Sequence, residues 1–203
     1  EILVPLCLVA GTTMFMATEQ RKWRQFGRIL VGIGLLILSL RLIGEASEPL
    51  RESRILPVVV NYLSGDAVTA FLLAALMTWL FHSSVAAILL VAALAARGLV
   101  PAELGVVLVL GANLGGGVIA ALLSRASPSE ARVVPLGNLI LRGSGAVVAL
   151  AAIMMASPPL HYLGDMPATQ IVNAHIAFNL ALALCGLFLA GSVSRAAQRI
   201  VSL

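Results

Sequence analysis

Thirty residues, Ala67–Ala96, carry no charge and only two threonines outside one polar interruption, Phe81-His82-Ser83-Ser84. A chain can afford such an interruption in hydrocarbon only under tight constraint. Each unwound N–H or C=O left unsatisfied there costs several kcal/mol. Non-helical backbone at that depth is confined to places buried in protein or lining a polar cavity. A second stretch of the same kind follows at Gly111-Ala112-Asn113-Leu114-Gly115-Gly116-Gly117. Two interrupted apolar segments in one chain point to a transporter's solute site.

Composition fixes the class as an integral membrane protein. Hydrophobic residues make up 60% of the chain and charged ones 11%, about half the soluble average. Buried helices of soluble proteins are shorter and carry a polar face. The net charge of +4 does not indicate nucleic acid, because the basic residues sit at segment ends without interleaved aromatics. Cys7 and Cys185 lie far apart inside apolar segments, with no CxxC and no zinc spacing. The chain starts at Glu1, has no initiator Met and enters an apolar run at once, so it reads as an internal segment of a longer protein.

Six apolar segments are expected: Ile2–Ala17, Phe26–Ile43, Ala67–Ala96, Leu99–Leu123, Val133–Ala156 and Ala168–Ala190. Residues 1–44 would hold transmembrane helices leading in, 45–65 an interfacial helix and loop punctuated by Pro49 and Pro57, and 66–203 the transport unit. Arg21, Lys22, Arg24 and Arg28 mark the first loop as cytoplasmic. Arg125 and Arg132 do so for the loop before Val133, and Arg195 and Arg199 for the C-terminal tail. The plasma membrane, in a bacterium the inner membrane, is the expected location.

Crossing parity then constrains Ala67–Ala96. Phe26–Ile43 runs outward and Leu99–Leu123 must return inward to Arg125, so the segment between contributes an even number of crossings. One helix of that length would be ~45 Å long, and each half, at ~22 Å, is too short to span. A re-entrant hairpin with its tip at His82-Ser83-Ser84 satisfies both conditions. Two short tilted spans are the alternative.

Several residues could carry chemistry. His82, Ser83 and Ser84 offer donors and acceptors. The free N–H groups opening the helix after them suit an anion. The carbonyl end near Trp79–Phe81 suits a cation such as sodium. Asn113, Gly115 and Gly116 lie in the second interruption, where glycine permits close backbone approach. Gly111 and Gly115 also satisfy the GxxxG packing pattern, and both readings stay open. Arg142 is the one charge well inside Val133–Ala156, with Asn138 four residues before it, and could hold an anion two-pronged or cap backbone carbonyls. Thr78, His175 and Asn179 are candidates for ion binding or support, His175 and Asn179 also being readable as polar glue between helices. No GxSxG, HExxH or intramembrane carboxylate pair is present, so the chain is not read as an enzyme.

The ordered set resembles the bacterial type II sodium-dependent phosphate cotransporters. Members of that family carry a Gln-Ser-Ser-Ser-type hairpin motif followed about thirty residues later by Gly-Ala-Asn-Ile-Gly-Thr-Thr. The counterparts are His82-Ser83-Ser84-Val85 and Gly111–Gly117. Gly137–Arg142 and Asn173–Leu180 look like the later helices, and Gly32–Leu38 with Glu45…Pro49-Leu50 looks like the lead-in to a second repeat. The resemblance implies an all-α polytopic protein, one half of an inverted-repeat transporter: hairpin 67–96, broken helix 99–123 and helices 133–156 and 168–190. It implies inorganic phosphate as solute and sodium as coupling ion, with sodium near Ser83, Ser84 and Asn113 and a first repeat elsewhere in the same protein as partner. His82 stands where the family has Gln, Val85 where it has the third Ser, and Gly116 and Gly117 where it has threonines. Those exchanges remove ligands from this half and admit proton coupling, another anion, or a scaffold or sensor that kept the fold.

Overall fold

The computed structural model describes residues 2–202; Glu1, at which the chain starts, lies outside them. Among these residues there are eight α-helices and no strand: α1 (Leu3–Ala17), α2 (Arg21–Arg51), α3 (Ile55–Gly65), α4 (Ala67–Phe81), α5 (Ser84–Ala96), α6 (Ala102–Leu123), α7 (Ser129–Ala156) and α8 (Pro167–Val201). Short 3-10 turns, Ser124–Ala126 and Leu160–Leu163, precede α7 and α8. Four helices are long and apolar enough to cross a membrane, five if the bent pair α3 and α4 counts as one span. The packing divides into two units, 1–52 and 53–203.

In the first unit α1 and α2 form an antiparallel pair fastened by glycines. A Cβ on Gly11 would stand 2.8 Å from the Gly27 carbonyl oxygen, and one on Gly34 would stand 2.9 Å from Leu8. Backbones this close leave no room for a side chain, which is how apolar helices gain dispersion contact without a solvent-driven core. The stretch 45–65, expected as an interfacial helix and loop, holds the end of α2 and the whole of α3. Helix α2 continues through Pro49 to Arg51, and α3 is separate from it. Pro49 lacks the N–H that would continue the ladder, and the helix stops two residues later.

In the second unit α3 and α4 meet at 113° around Asp66. Asp66 caps α4, accepting the Thr69 N–H at 3.0 Å and the Thr69 hydroxyl at 2.6 Å. The break expected at 82–84 is present. His82 closes α4 in the left-handed region, φ 54°, and Ser83 opens α5 as an extended N-cap whose hydroxyl accepts the Ala86 N–H at 3.1 Å. The break expected across Gly111–Gly117 is not. Helix α6 runs unbroken from Ala102 to Leu123, so the "broken helix" over 99–123 is corrected to a continuous one. Its glycines serve the packing reading: Cβ atoms at Gly111 and Gly115 would collide with the Phe71 and Ala75 carbonyl oxygens of α4.

The contacts also fix directions. Gly111 and Gly115 meet Phe71 and then Thr78, so α4 runs parallel to α6. Gly116 meets Ser84 and Gly105 meets Val91, so α5 runs antiparallel to it. The two arms therefore oppose each other, with their tip beside Gly116. Gly117 against Leu139 and Gly143 against Leu114 make α7 antiparallel to α6. Gly145 against Leu182 and Gly186 against Leu141 make α8 antiparallel to α7. The end of α6, the start of α7 and the end of α8 thus share one side, which gathers Arg125, Arg132, Arg195 and Arg199. Helix α6 is central: Val109, Leu110 and Ala112 are buried with Phe71, Ala146 and Ile171 around them.

Candidate functional site

Asn113 stands at the middle of α6, about 15 Å from either end, and is fully buried. Its amide nitrogen donates to the Val109 carbonyl at 2.8 Å, which fixes which end of the amide is nitrogen. The same nitrogen faces His175 Nδ1 at 3.2 Å. Its oxygen accepts from Arg142 Nη1 at 3.2 Å and from Asn179 Nδ2 at 3.2 Å. Asn179 in turn accepts from Arg142 Nη2 at 3.0 Å and donates to the His175 carbonyl at 2.8 Å. One side chain of α6 thereby joins one of α7 and two of α8.

Nδ1 of His175 faces the amide nitrogens of Asn113 and Asn179, at 3.2 and 3.0 Å, and Nε2 lies 3.4 Å from that of Asn179, so the tautomer decides which ring nitrogen accepts. Arg142 spends two of its N–H bonds on amide oxygens. Among the described residues it has no carboxylate partner. Its remaining N–H groups are available to something else.

That space lies at the hairpin tip. A Cβ on Gly116 would stand 3.3 Å from Ser84 Oγ and 3.9 Å from Arg142 Nη1. The bare backbone of Gly116 therefore leaves between a hydroxyl and a guanidinium only a narrow gap, one that a methyl group would already crowd at Ser84. Thr78, one turn before the end of α4, is fully buried beside Gly115, and its hydroxyl has no hydrogen-bond partner. Ser83 spends its hydroxyl on the cap of α5.

Arg142, Asn113, His175 and Asn179 are thus brought together, with Gly116 and Ser84 at the edge and Gly115 and Thr78 behind. Asn138 is not. It is exposed in a groove between α7 and α8, lined also by Gly137, Leu141 and Leu182. His82 is exposed too, its Nδ1 3.0 Å from the Leu80 carbonyl. Gly117 packs on Leu139 rather than facing the gap. Sequence reading missed that Asn173 ties the start of α8 to the loop before it, donating to the Leu163 carbonyl at 2.7 Å. An Asn six residues into an apolar helix was the available signal.

Residues 52–190 match the family model described as Na+/Pi-cotransporter. The chain is 31% identical over 199 residues to an Escherichia coli K12 protein named "Putative inorganic phosphate export protein YjbB", covering 98% of the chain and 37% of that protein. It is 32% identical to the Salmonella typhimurium protein of that name, with the same coverage. It is 22% identical over 184 residues to "Uncharacterized protein YqeW" of Bacillus subtilis, covering 91% of the chain and 60% of that protein. The chain thus spans little more than a third of the length of the phosphate-export relatives. No solved structure matches it. The match across most of its length means that the chain belongs to the Na+/Pi-cotransporter family, a family of transporters rather than enzymes.

Proposed function

We propose that the chain supplies one half of the solute path of a secondary transporter that moves inorganic phosphate with sodium. The observation that carries this reading is Arg142: a guanidinium at mid-membrane depth, aimed by two amide oxygens, with N–H groups to spare beside Ser84. A cation with only neutral partners in a low-dielectric site favours an anion strongly. Phosphate would sit in the gap at Gly116, accepting from Arg142 and Ser84 and from the free N–H groups opening α5. Thr78 Oγ1 and the carbonyl end of α4 would serve sodium, and Asn113, His175 and Asn179 would hold Arg142 in place.

In this reading the arms α4 and α5 form a re-entrant hairpin, and an inverted repeat elsewhere in the whole protein completes the site. The C-terminal tail is cytoplasmic and the membrane is the bacterial inner membrane, because the four arginines gathered at one end obey the positive-inside rule. The relatives' names favour outward movement of phosphate; the family's name favours sodium coupling. Radiolabelled phosphate flux in proteoliposomes of the whole protein, with and without a sodium gradient, tests both. Sodium-dependent flux that vanishes with Arg142→Gln and Ser84→Ala is expected. Flux unaffected by either substitution would remove the site from the path. Flux driven by a proton gradient alone would replace sodium by protons, and none at all in folded protein would favour a scaffold.

A further inference from the structure

The first unit carries a feature that phosphate transport does not use. Between α1 and α2, at their connected ends, lies a cavity of about 440 Å³ lined by Phe15, Glu19, Arg21, Arg24, Gln25 and Arg28. Arg21, Arg24 and Arg28 follow one another at three and four residues and so share a face of α2. Arg24 is held over the Phe15 ring, 4.9 Å from its centroid, which orients its guanidinium without neutralising it. Glu19 is the only acid in the cavity, so three guanidinium groups meet one carboxylate.

A second cavity of about 320 Å³ adjoins the first. It shares Phe15 and Arg28 and continues to Thr12 and Val31. Thr12 and Val31 are each three residues, about one turn, further into the apolar hairpin. Beyond them both helices are apolar and exposed, with Val9, Ile33 and Leu36 on the surface. The polar cavity thus continues into a second one bounded by Thr12 and Val31, with exposed apolar side chains beyond it.

We propose that this paired cavity binds an anionic phospholipid: the phosphodiester among Arg21, Arg24 and Arg28, and the start of an acyl chain along Thr12, Phe15 and Val31. Basic pockets between transmembrane helices at the headgroup level hold lipid phosphates. The apolar continuation selects a lipid over free phosphate, which has nothing to place there. Trp23, half exposed beside Phe26 with ring centroids 6.4 Å apart, sits at the same level, where amphipathic aromatic rings favour the interface. The site lies wholly within the first unit and does not rest on the transport reading.

Native mass spectrometry of the whole protein, equilibrated with phosphatidylglycerol or phosphatidylcholine, tests this. Phosphatidylglycerol adducts should persist where phosphatidylcholine adducts do not. Arg21→Gln with Arg28→Gln should weaken phosphatidylglycerol binding about tenfold or more, and Arg21→Lys with Arg28→Lys should retain most of it. Thr12→Trp, which lies on the exposed side, leaves every arginine in place and fills the apolar half, should also weaken binding, and it carries the test if the glutamine variant does not fold. Millimolar inorganic phosphate should not displace the lipid. Equal retention of the two lipids, unchanged binding in both the glutamine and tryptophan variants, or displacement by inorganic phosphate would each overturn the proposal.

Discussion

Arg142 Nη1 and Asn113 Oδ1 meet at 3.2 Å, joining α7 to α6 near the middle of two helices long and apolar enough to cross a membrane. Arg142 has no carboxylate partner there among the described residues. The guanidinium is held by neutral oxygens, so its charge remains available. A carboxylate in place of Asn113 would hold it as firmly and cancel it.

Exchanging that one group separates the roles. Asn113→Asp should still fold, since the carboxylate can pair with Arg142, but should lose about 1–3 kcal/mol because it no longer donates to the Val109 carbonyl. Phosphate affinity should fall at least about tenfold, because the site then supplies its own anion. Thermal unfolding in detergent and phosphate binding to the whole protein check the two halves. Asn113→Leu should instead lower stability by about 2–4 kcal/mol, since a buried network loses its hub and leaves partners unsatisfied.

Arg142→Lys keeps the charge and should still fail. A point ammonium cannot reach both amide oxygens in the planar geometry of a guanidinium. Loss of roughly 10–100-fold in flux at limiting phosphate is expected, corresponding to one or two charge-assisted hydrogen bonds. Flux within twofold of wild type would show that geometry at Arg142 is unimportant.

The glycines of α6 should respond unequally. Gly111→Ala would drive a methyl into the Phe71 carbonyl and part α4 from α6, costing about 1–3 kcal/mol or more. Gly32→Ala, with nothing within 4 Å of the new methyl, should be neutral or stabilise by about 0.5–1 kcal/mol. Parallel melting curves settle this. Gly116→Ala should cost little stability but lower flux, because its methyl would crowd Ser84 at about 3.2 Å beside Arg142.

At the hairpin tip, His82 holds a left-handed backbone at φ 54°. His82→Gly should raise stability by about 1 kcal/mol, and His82→Val should lower it by a similar amount. Ser83→Ala should cost about 1 kcal/mol through the lost cap of α5.

Length, composition and the polar break at 82–84 were enough to expect a polytopic helical protein with an interruption there, and a helix does end at Phe81 and another begin at Ser84. Such a break is a local property, set by residues near one another. The glycine run of α6 misled, because glycine's intrinsic helix penalty of about 1 kcal/mol reads as a break. In the fold that penalty is offset by the close packing of α4 on Gly111 and Gly115 and by keeping every backbone group hydrogen-bonded where water is absent.

The site shows the same division. Sequence alone determined that Arg142 lies deep in an apolar helix, and that a charge there needs a polar environment. It also paired His175 with Asn179 on one face of a helix, as the structure has them. It paired Asn138 with Arg142 as well, but four residues leave a turn of about 40° between them. The long arginine reaches α6 while the short asparagine stays in the outer groove of α7 and α8. Only tertiary structure decided that Asn113 is the hub, because its partners lie on two other helices 29 to 66 residues away. Helical spacing specifies which residues share a face; which faces meet is set by the packing of the glycines.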